Sequence, residues 1–187
     1  LRPLTNITVI TPADPWETAE AVKWAAQHDG PVYLRLSRMP VPALDVPNRV
    51  FRVGKAEVVR GGNDVTLIAC GTTVHLAVAA AKSLADDGID ARVLNMATVR
   101  PIDVEAVIAA AQDTGAILTA EEHSTFGGLG SAIAEVVVAE SPVPMKILGV
   151  PGVFAPTGSA EFLLDHFGMS PAAVAEAAKA LIARKRA

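Results

Sequence analysis

Hydrophobic residues over 54–184 form short continuous runs that alternate with stretches of helical spacing. Val65–Ala69 and Ala116–Ala120 are such runs, and each suits a strand buried on both faces of a parallel sheet. Apolar positions over 73–86 and 132–137 recur with the helical period instead. This alternation predicts a three-layer α/β fold with a mostly parallel, doubly wound sheet covered by helices on both faces. Further elements are predicted as strands over 54–60, 90–95 and 145–150, and as helices over 103–112, 159–167 and 171–184.

Residues 1–38 carry a shorter pattern of the same kind. Residues 7–10 and 31–36 are typical of strands, and Asp14 followed by Pro15 predicts the start of a helix that runs to about His28. Two parallel strands and one helix cannot bury both faces of a sheet. We therefore expect an incomplete α/β segment that completes a domain elsewhere and is loosely held without it. Its apolar residues that need this cover include Ile7, Val9, Val22 and Leu34.

A change of composition separates this segment from the rest of the chain. Residues 39–51 contain Pro40, Pro42 and Pro47 and show neither a helical nor a strand period. Such a stretch predicts an extended linker. The sequence therefore predicts three units: residues 1–38, a proline-rich linker over 39–51, and a regular α/β domain over 52–187.

Composition narrows the possible functions. Of the 187 residues, 51% are hydrophobic and 19% are charged, which predicts a soluble globular protein. The net charge of -4 offers no basic surface for a nucleic acid. Cys70 is the sole cysteine, so an internal disulfide is impossible, and we expect it to be a small buried residue. Because there is no signal segment or long uncharged apolar run, we expect a cytoplasmic protein with no membrane partner.

The stretch from Gly115 to Glu135 contains most of the residues that are candidates for binding or catalysis. The acidic pair Glu121–Glu122 and His123 follow a predicted strand, and Gly127–Gly130 precedes a predicted helix. Ligands of open α/β sheets usually bind at such carboxyl ends. The loop lacks the third glycine of a dinucleotide fingerprint, so we expect phosphate binding less than a packing role. In that role the glycines allow the loop to pack closely on a neighbour, which we expect to be a partner subunit, and leave the helix amides to water.

The acidic pair and His123 do not form a recognisable catalytic set. Neighbouring residues on a strand point to opposite faces, so Glu121 and Glu122 should not share acid–base work. His123 has no nucleophile or metal partner in the sequence pattern. We therefore favour a structural or interface role for His123.

Several motifs, in order, resemble one known family. They are Pro12-Ala13-Asp14 with Glu17, residues 29–38 (DGPVYLRLSR), residues 71–74 (GTTV), residues 84–89 (LADDGI), residues 99–103 (VRPID), and residues 121–123 (EEH) with residues 127–131 (GGLGS). The first two resemble the end of the pyrimidine-binding domain of transketolases, and the others resemble the transketolase C-terminal domain. The resemblance identifies residues 1–38 with the end of the former domain and residues 52–187 with the latter.

This resemblance implies thiamine diphosphate and Mg²⁺ in the complete enzyme. The family holds Mg²⁺ through a Gly-Asp-Gly motif and a distant asparagine, and this motif is absent here. The glutamate and the aromatic residues that contact the aminopyrimidine ring are expected upstream of Leu1. The chain alone is therefore expected to bind neither group and to be inactive. Its implied partners are the remaining pyrophosphate and pyrimidine domains, on the same polypeptide or on another subunit, within a homo-oligomer of the complete enzyme that acts on sugar phosphates.

Arg38 is the one candidate for a substrate contact. It occupies the Leu36-Ser37-Arg38 position at which transketolases present an arginine to the sugar phosphate, and we expect it at the end of a strand. A guanidinium suits this task because its planar fork matches phosphate oxygens. Arg35 should point to the opposite face of that strand. The alternative for Arg38 is a solvated arginine paired with a surface acid.

Three functional hypotheses follow. The first is the C-terminal part, or the small subunit, of a transketolase that moves a two-carbon ketol unit between sugar phosphates. The second is an assembly module of a related thiamine-diphosphate enzyme, such as a 2-oxo-acid dehydrogenase β subunit or a deoxyxylulose-phosphate synthase. The third is a flavodoxin-like nucleotide binder that uses the turn at Cys70–Thr73.

Overall fold

The computed structural model describes residues 1–186 and contains two β-sheets flanked by helices. The strands are β1 (Thr8–Ile10), β2 (Val32–Leu34), β3 (Glu57–Arg60), β4 (Val65–Ala69), β5 (Ala91–Asn95), β6 (Thr98–Arg100), β7 (Ile117–Ser124) and β8 (Met145–Val150). The helices are α1 (Pro15–Ala25), α2 (Thr73–Asp86), α3 (Val104–Thr114), α4 (Leu129–Glu140), α5 (Ala160–His166) and α6 (Pro171–Arg186).

The larger sheet confirms the predicted doubly wound α/β fold. Its five strands lie in the order β3-β5-β4-β7-β8. All neighbouring pairs are parallel except β3 with β5, which are antiparallel, and β3 lies at one edge of the sheet. Every residue of β4 is buried, which is the expected result for a central strand covered on both faces.

Two apolar clusters fill the space between this sheet and its helices. One cluster joins the sheet to α2 and α6 and contains Leu67, Leu84 and Leu181. The other joins the opposite face to α3 and α4 and contains Ile68 and Ile133. Helices therefore cover both faces of the sheet. Because β4 and β7 are parallel neighbours, their carboxyl ends lie at the same open edge.

The smaller sheet joins the two parts of the chain. Its order is β2-β1-β6, with β1 parallel to β2 and antiparallel to β6. The sequence pattern does not predict β6, because three residues are too few to show a strand period and Pro101 follows them directly. A strand from the second part of the chain thus pairs with a strand from the first.

This pairing corrects one expectation about residues 1–38. Val9 is buried among the residues of the α3–α4 cluster and Ile7 packs against it, so the expectation that these two residues need strands from elsewhere is wrong. Other apolar side chains on the first segment stay uncovered: Val22 is 47% exposed, Tyr33 is 40% exposed and Leu36 is 55% exposed. The first segment is held to the second part through β1, while these apolar side chains remain exposed on its outer side.

Local sequence signals locate the helix starts well. Asp14 caps α1 by accepting a hydrogen bond from Glu17 N at 2.7 Å, and Asp103 caps α3 by accepting one from Ala106 N at 3.2 Å. Helix α1 ends at Ala25, before the predicted end near His28. Among residues 1–186, no helix combines the length and the apolar character that crossing a membrane requires.

The turn before β4 yields a first test of the fold. A β-carbon on Gly62 would lie 2.4 Å from the carbonyl carbon of Ala91, whereas one on Gly61 would meet nothing within 4 Å. We predict that Gly62→Ala lowers the free energy of unfolding by on the order of 1–3 kcal/mol, because backbone atoms must move. The matched variant Gly61→Ala should change it by less than about 0.5 kcal/mol. Urea unfolding measures both, and equal values for the two variants would contradict the packing of this turn.

Candidate functional site

The carboxyl end of β7 and the N-terminus of α4 are joined by one buried carboxylate. Glu121 is 2% exposed and accepts hydrogen bonds from Leu129 N at 2.7 Å and from Gly130 N at 2.8 Å. These amides belong to the first turn of α4, where a negative charge is stabilised by the helix dipole. The carboxylate of Glu121 therefore takes the place that an external anion would occupy.

The glycines of this loop make room for that carboxylate. A β-carbon on Gly128 would lie 2.0 Å from Glu121 Oε2, and one on Gly130 would lie 2.5 Å from Ile147 Cγ2. The loop is closely packed within the chain itself, and its packing against a partner subunit stays a prediction. The expectation that water solvates the helix amides is wrong, because the Glu121 carboxylate accepts the hydrogen bonds of Leu129 N and Gly130 N.

Glu122 points away from Glu121, as the alternation of a strand predicts. Its carboxylate accepts a hydrogen bond from Thr72 Oγ1 at 2.8 Å, and its carbonyl oxygen accepts one from the Arg35 guanidinium. The two carboxylates therefore have separate partners. Glu122 links β7 to the turn before α2 and to the residue that follows β2.

His123 lies at the rim of the same region. Its side chain is 46% exposed, and its Nδ1 lies 2.7 Å from Ser124 O and 3.7 Å from Glu121 Oε2. The imidazole therefore contacts a backbone carbonyl oxygen and one buried acid. A structural or interface role for His123 stays our prediction.

A cleft of about 160 Å³ lies between this end of β7 and the first segment of the chain. Its charged groups are paired within the protein: Arg2 donates to Glu135, and Arg35 donates to the carbonyl oxygen of Glu122. Cys70 also lines the cleft, but burial strongly raises the pKa of its thiol, so the thiolate needed for nucleophilic attack is disfavoured. The cleft therefore offers no activated nucleophile.

Arg38 lies in an exposed bend beyond the end of β2, and the expectation of a strand-end position is wrong. Strand β1 ends at Ile10, and Pro12 has no N–H, so no ladder partner continues past the bond from Arg35 N to Ile10 O. Within residues 1–186, Arg38 makes no side-chain hydrogen bond or ion pair. The described residues therefore supply no carboxylate partner for Arg38, which the alternative of a surface ion pair requires.

The turn at Cys70–Thr73 does not offer a phosphate site. All four of its residues are buried, and Gly71 N donates to Thr11 O at 3.0 Å. A β-carbon on Gly71 would lie 2.8 Å from Thr11 Cγ2. Because the end of β1 covers this turn, the geometry disfavours the flavodoxin-like hypothesis.

A second group of buried charges lies at the start of α1 and involves the linker. Asp14 Oδ2 accepts hydrogen bonds from Leu44 N at 2.8 Å and from Arg49 Nη1. Arg49 also donates to Glu57 of β3, from Nε at 2.9 Å and from Nη2 at 2.8 Å. Sequence reasoning identified Asp14 as a cap but missed Arg49, because its partners are distant in the chain.

The pKa values of two carboxylates in this group, Asp14 at the N-cap of α1 and Glu17 within α1, are shifted in opposite directions. Burial alone would raise the pKa of Asp14, but the hydrogen bonds from backbone amides and Arg49 outweigh it, and the pKa lies below its ordinary value. Burial raises the pKa of Glu17 above its ordinary value, because the bonds from Ala13 N and Asn95 Nδ2 offset only part of the cost. Of Asp14 and Glu17, Asp14 is therefore the carboxylate that pairs directly with Arg49, which also pairs with Glu57.

Two further observations bear on cofactors. Among residues 1–186, no three His, Cys, Asp or Glu side chains converge as a metal site would require. Trp16 lies against Arg49, whose guanidinium carbon is 4.4 Å from the ring centroid, so this indole packs on a cation of the chain itself.

Comparison with known proteins gives a consistent result. Residues 54–174 match the family model for the transketolase C-terminal domain. The chain is 42% identical over 185 residues to a 6-deoxy-6-sulfo-D-fructose transketolase subunit of Clostridium sp., covering 99% of this chain and 58% of that protein. It is 40% identical over 192 residues to 1-deoxy-D-xylulose-5-phosphate synthase 1 of Geobacter sulfurreducens, covering 100% of this chain and 30% of that enzyme.

A solved structure extends this similarity to three dimensions. The structure, described as a split gene transketolase in an inactive β4 tetramer, superposes with a TM-score of 0.94 at 43% sequence identity. The match covers 99% of this chain and 61% of that chain. The protein described here therefore spans about three-fifths of the length of these subunit-type relatives.

The Glu121 carboxylate can be tested by an isosteric change. We predict that Glu121→Gln lowers the free energy of unfolding by about 1–3 kcal/mol, because an amide has one acceptor oxygen and leaves a buried N–H of α4 without a partner. The exposed Glu140→Gln on the same helix serves as the control and should change stability by less than about 0.5 kcal/mol. If denaturant titration gives the same midpoint for Glu121→Gln as for the unchanged protein, this carboxylate does not hold α4.

Proposed function

This chain belongs to the transketolase C-terminal domain family, and from that membership we propose that it is the C-terminal part, or the small subunit, of a thiamine-diphosphate-dependent transketolase. The observation that carries the proposal is the match to subunit-type transketolases over nearly the whole chain, including the residues before position 54. The order of a short α/β segment, a proline-rich linker and a doubly wound domain supports the same assignment.

The proposed reaction is the transfer of a two-carbon ketol unit between sugar phosphates. Thiamine diphosphate with Mg²⁺ would act as the electron sink for the carbanion in the complete enzyme. The residues of this chain do not fit that cofactor: the sequence has no Gly-Asp-Gly motif, and the amides at the start of α4 are occupied by Glu121. The cofactor-binding groups would therefore come from the remaining pyrophosphate and pyrimidine domains.

The contribution of this chain would be assembly and substrate binding. Residues 1–38 would complete the pyrimidine-binding domain, residues 39–51 would link it, and residues 52–187 would form the C-terminal domain. The apolar surface of the first segment, which includes Val22 and Tyr33, supports contact with the missing part of that domain. Arg38 is exposed and would donate its guanidinium hydrogens to the phosphate of the sugar.

A related thiamine-diphosphate enzyme is the second candidate. The similarity to a deoxyxylulose-phosphate synthase supports this alternative for the same fold. An assembly module of a 2-oxo-acid dehydrogenase β subunit would have no need of a phosphate-binding arginine, so dependence on a phosphorylated substrate separates that role from the first. For the complete enzyme we also propose a homo-oligomer that works in the cytoplasm, in pentose phosphate metabolism.

The cofactor assignment yields a prediction for the isolated chain. We expect residues 1–187 to show no heat of binding when thiamine diphosphate and Mg²⁺ are added, because the expected ligands lie on the remaining domains. Isothermal titration calorimetry makes the measurement, and the assembled enzyme is the positive control. Micromolar affinity of this chain alone would overturn the assignment.

Arg38 yields a prediction for the assembled enzyme. Arg38→Ala should lower kcat/KM for a phosphorylated donor by about tenfold to a hundredfold, since a hydrogen bond to a charged group contributes about 1.5–3 kcal/mol. The affinity for the cofactor should be unchanged. Arg52→Ala removes another exposed arginine and is the matched control. Steady-state kinetics with phosphorylated and unphosphorylated donors would reject the role of Arg38 if both donors respond equally.

A further inference from the structure

The loop that carries Arg38 is held at both of its ends. We define the Arg38 loop as residues 36–43. Just before it, Arg35 N donates to Ile10 O at 2.8 Å, and the Arg35 guanidinium donates to the carbonyl oxygen of Glu122. Just after it, Leu44 is 8% exposed and its N donates to Asp14 Oδ2 at 2.8 Å. The two ends are therefore bound to β1 and to the start of α1.

Between these ends, the loop makes few hydrogen bonds, although Met39 and Val41 are half-buried. In the described part of the chain, its one hydrogen bond runs from Met39 N to Ser37 Oγ at 3.1 Å. Pro40 and Pro42 have no N–H to donate, and Leu36 is 55% exposed. The position of Arg38 therefore depends on its two anchors more than on contacts within the loop.

The second anchor is a carboxylate with two separate tasks. Asp14 Oδ1 accepts from Glu17 N at 2.7 Å and caps α1, while Oδ2 accepts from Leu44 N and from Arg49. The side chain of Asp14 is fully buried, and that of Arg49 is 6% exposed. Removing one member of a buried ion pair leaves the other charge without compensation, so this contact is costly to break.

Arg49 connects this anchor to the larger sheet. Its guanidinium donates to both carboxylate oxygens of Glu57 on β3, and it lies on the ring of Trp16. The fork geometry fixes the guanidinium in one orientation. The end of the Arg38 loop is consequently placed relative to both α1 and the five-stranded sheet.

We propose that Asp14 Oδ2 and Arg49 are positioning groups that anchor the Arg38 loop and thereby fix where the Arg38 guanidinium is presented. The anchoring stands on the contacts of this chain alone. The consequence for substrate binding rests on the proposed function. Neither Asp14 nor Arg49 touches substrate; both act through the loop that they hold.

Replacing Asp14 by asparagine separates the anchoring of the loop from the capping of α1. In Asp14→Asn the remaining oxygen still caps α1, since asparagine is as good an N-cap as aspartate, but the amide nitrogen cannot accept from Leu44 N or from Arg49. Hydrogen–deuterium exchange on the full chain should show the hydrogen-bonded amides of residues 39–44, Met39 and above all Leu44, exchanging about tenfold to a hundredfold faster, as expected for the loss of a charge-assisted bond. Peptides over β4 should be unchanged.

Two further variants complete the exchange experiment. Arg49→Lys keeps the charge but loses the fork, so it should raise loop exchange by a smaller factor, and it replaces Asp14→Asn if that variant fails to fold. Arg52→Ala should have no effect. The proposal is overturned if loop exchange is unaltered in both anchor variants, or if exchange rises by the same factor in the loop and in β4, because Asp14 and Arg49 would then act on global stability.

Kinetics of the assembled enzyme test the consequence for Arg38. Asp14→Asn should raise KM for a phosphorylated donor by about tenfold with a smaller change in kcat, and it should add little to Arg38→Ala in the double variant, because coupled residues are non-additive. Additive effects would overturn the positioning role. If Arg38→Ala itself has no effect, the proposed function of Arg38 fails, while the exchange result still decides the anchor.

Discussion

Buried carboxylates at helix N-termini are the interactions on which the rest of this structure depends. Asp14 caps α1 and holds the linker at Leu44 N. Asp103 caps α3 and accepts from Ala56 N at 2.9 Å, which fixes the chain entering β3. Glu121 joins β7 to the start of α4. Each carboxylate satisfies orphan amides and a second segment together, so its desolvation is offset by several hydrogen bonds.

These internal hydrogen bonds also limit what the chain can bind. A helix N-terminus with free amides would attract a phosphate, but the start of α4 already holds Glu121, and the turn before α2 is covered by Thr11. The chemistry left to an external ligand therefore comes from exposed side chains on loops. Arg38 is such a side chain, and in the proposed function its contact with a phosphate would depend on how firmly its loop is held.

The sequence predicted the features whose causes are local. The caps Asp14 and Asp103 stand next to the helices that they start, and the buried run at β4 is visible without any partner. The contacts of Arg49 join residues far apart in the chain, and nothing near Arg49 in the sequence indicates them. The bend at Arg38 was missed for a related reason, since β2 ends where its partner β1 turns away into α1.

The linker shows how a proline-rich segment can be extended and yet have a fixed position. Its composition predicts an extended chain without secondary structure, and none of its residues lies in a helix or strand. Its place is nevertheless determined at Leu44 and Arg49, which contact the same carboxylate of Asp14. A protein with an apolar residue in place of Arg49 could be as stable, because a buried ion pair has a large desolvation cost. The apolar residue could not, however, connect α1 to β3 with a defined orientation, since dispersion contacts lack the directionality of the guanidinium fork. The choice of arginine is therefore explained by geometry between the two parts of the chain, with net stability a lesser factor.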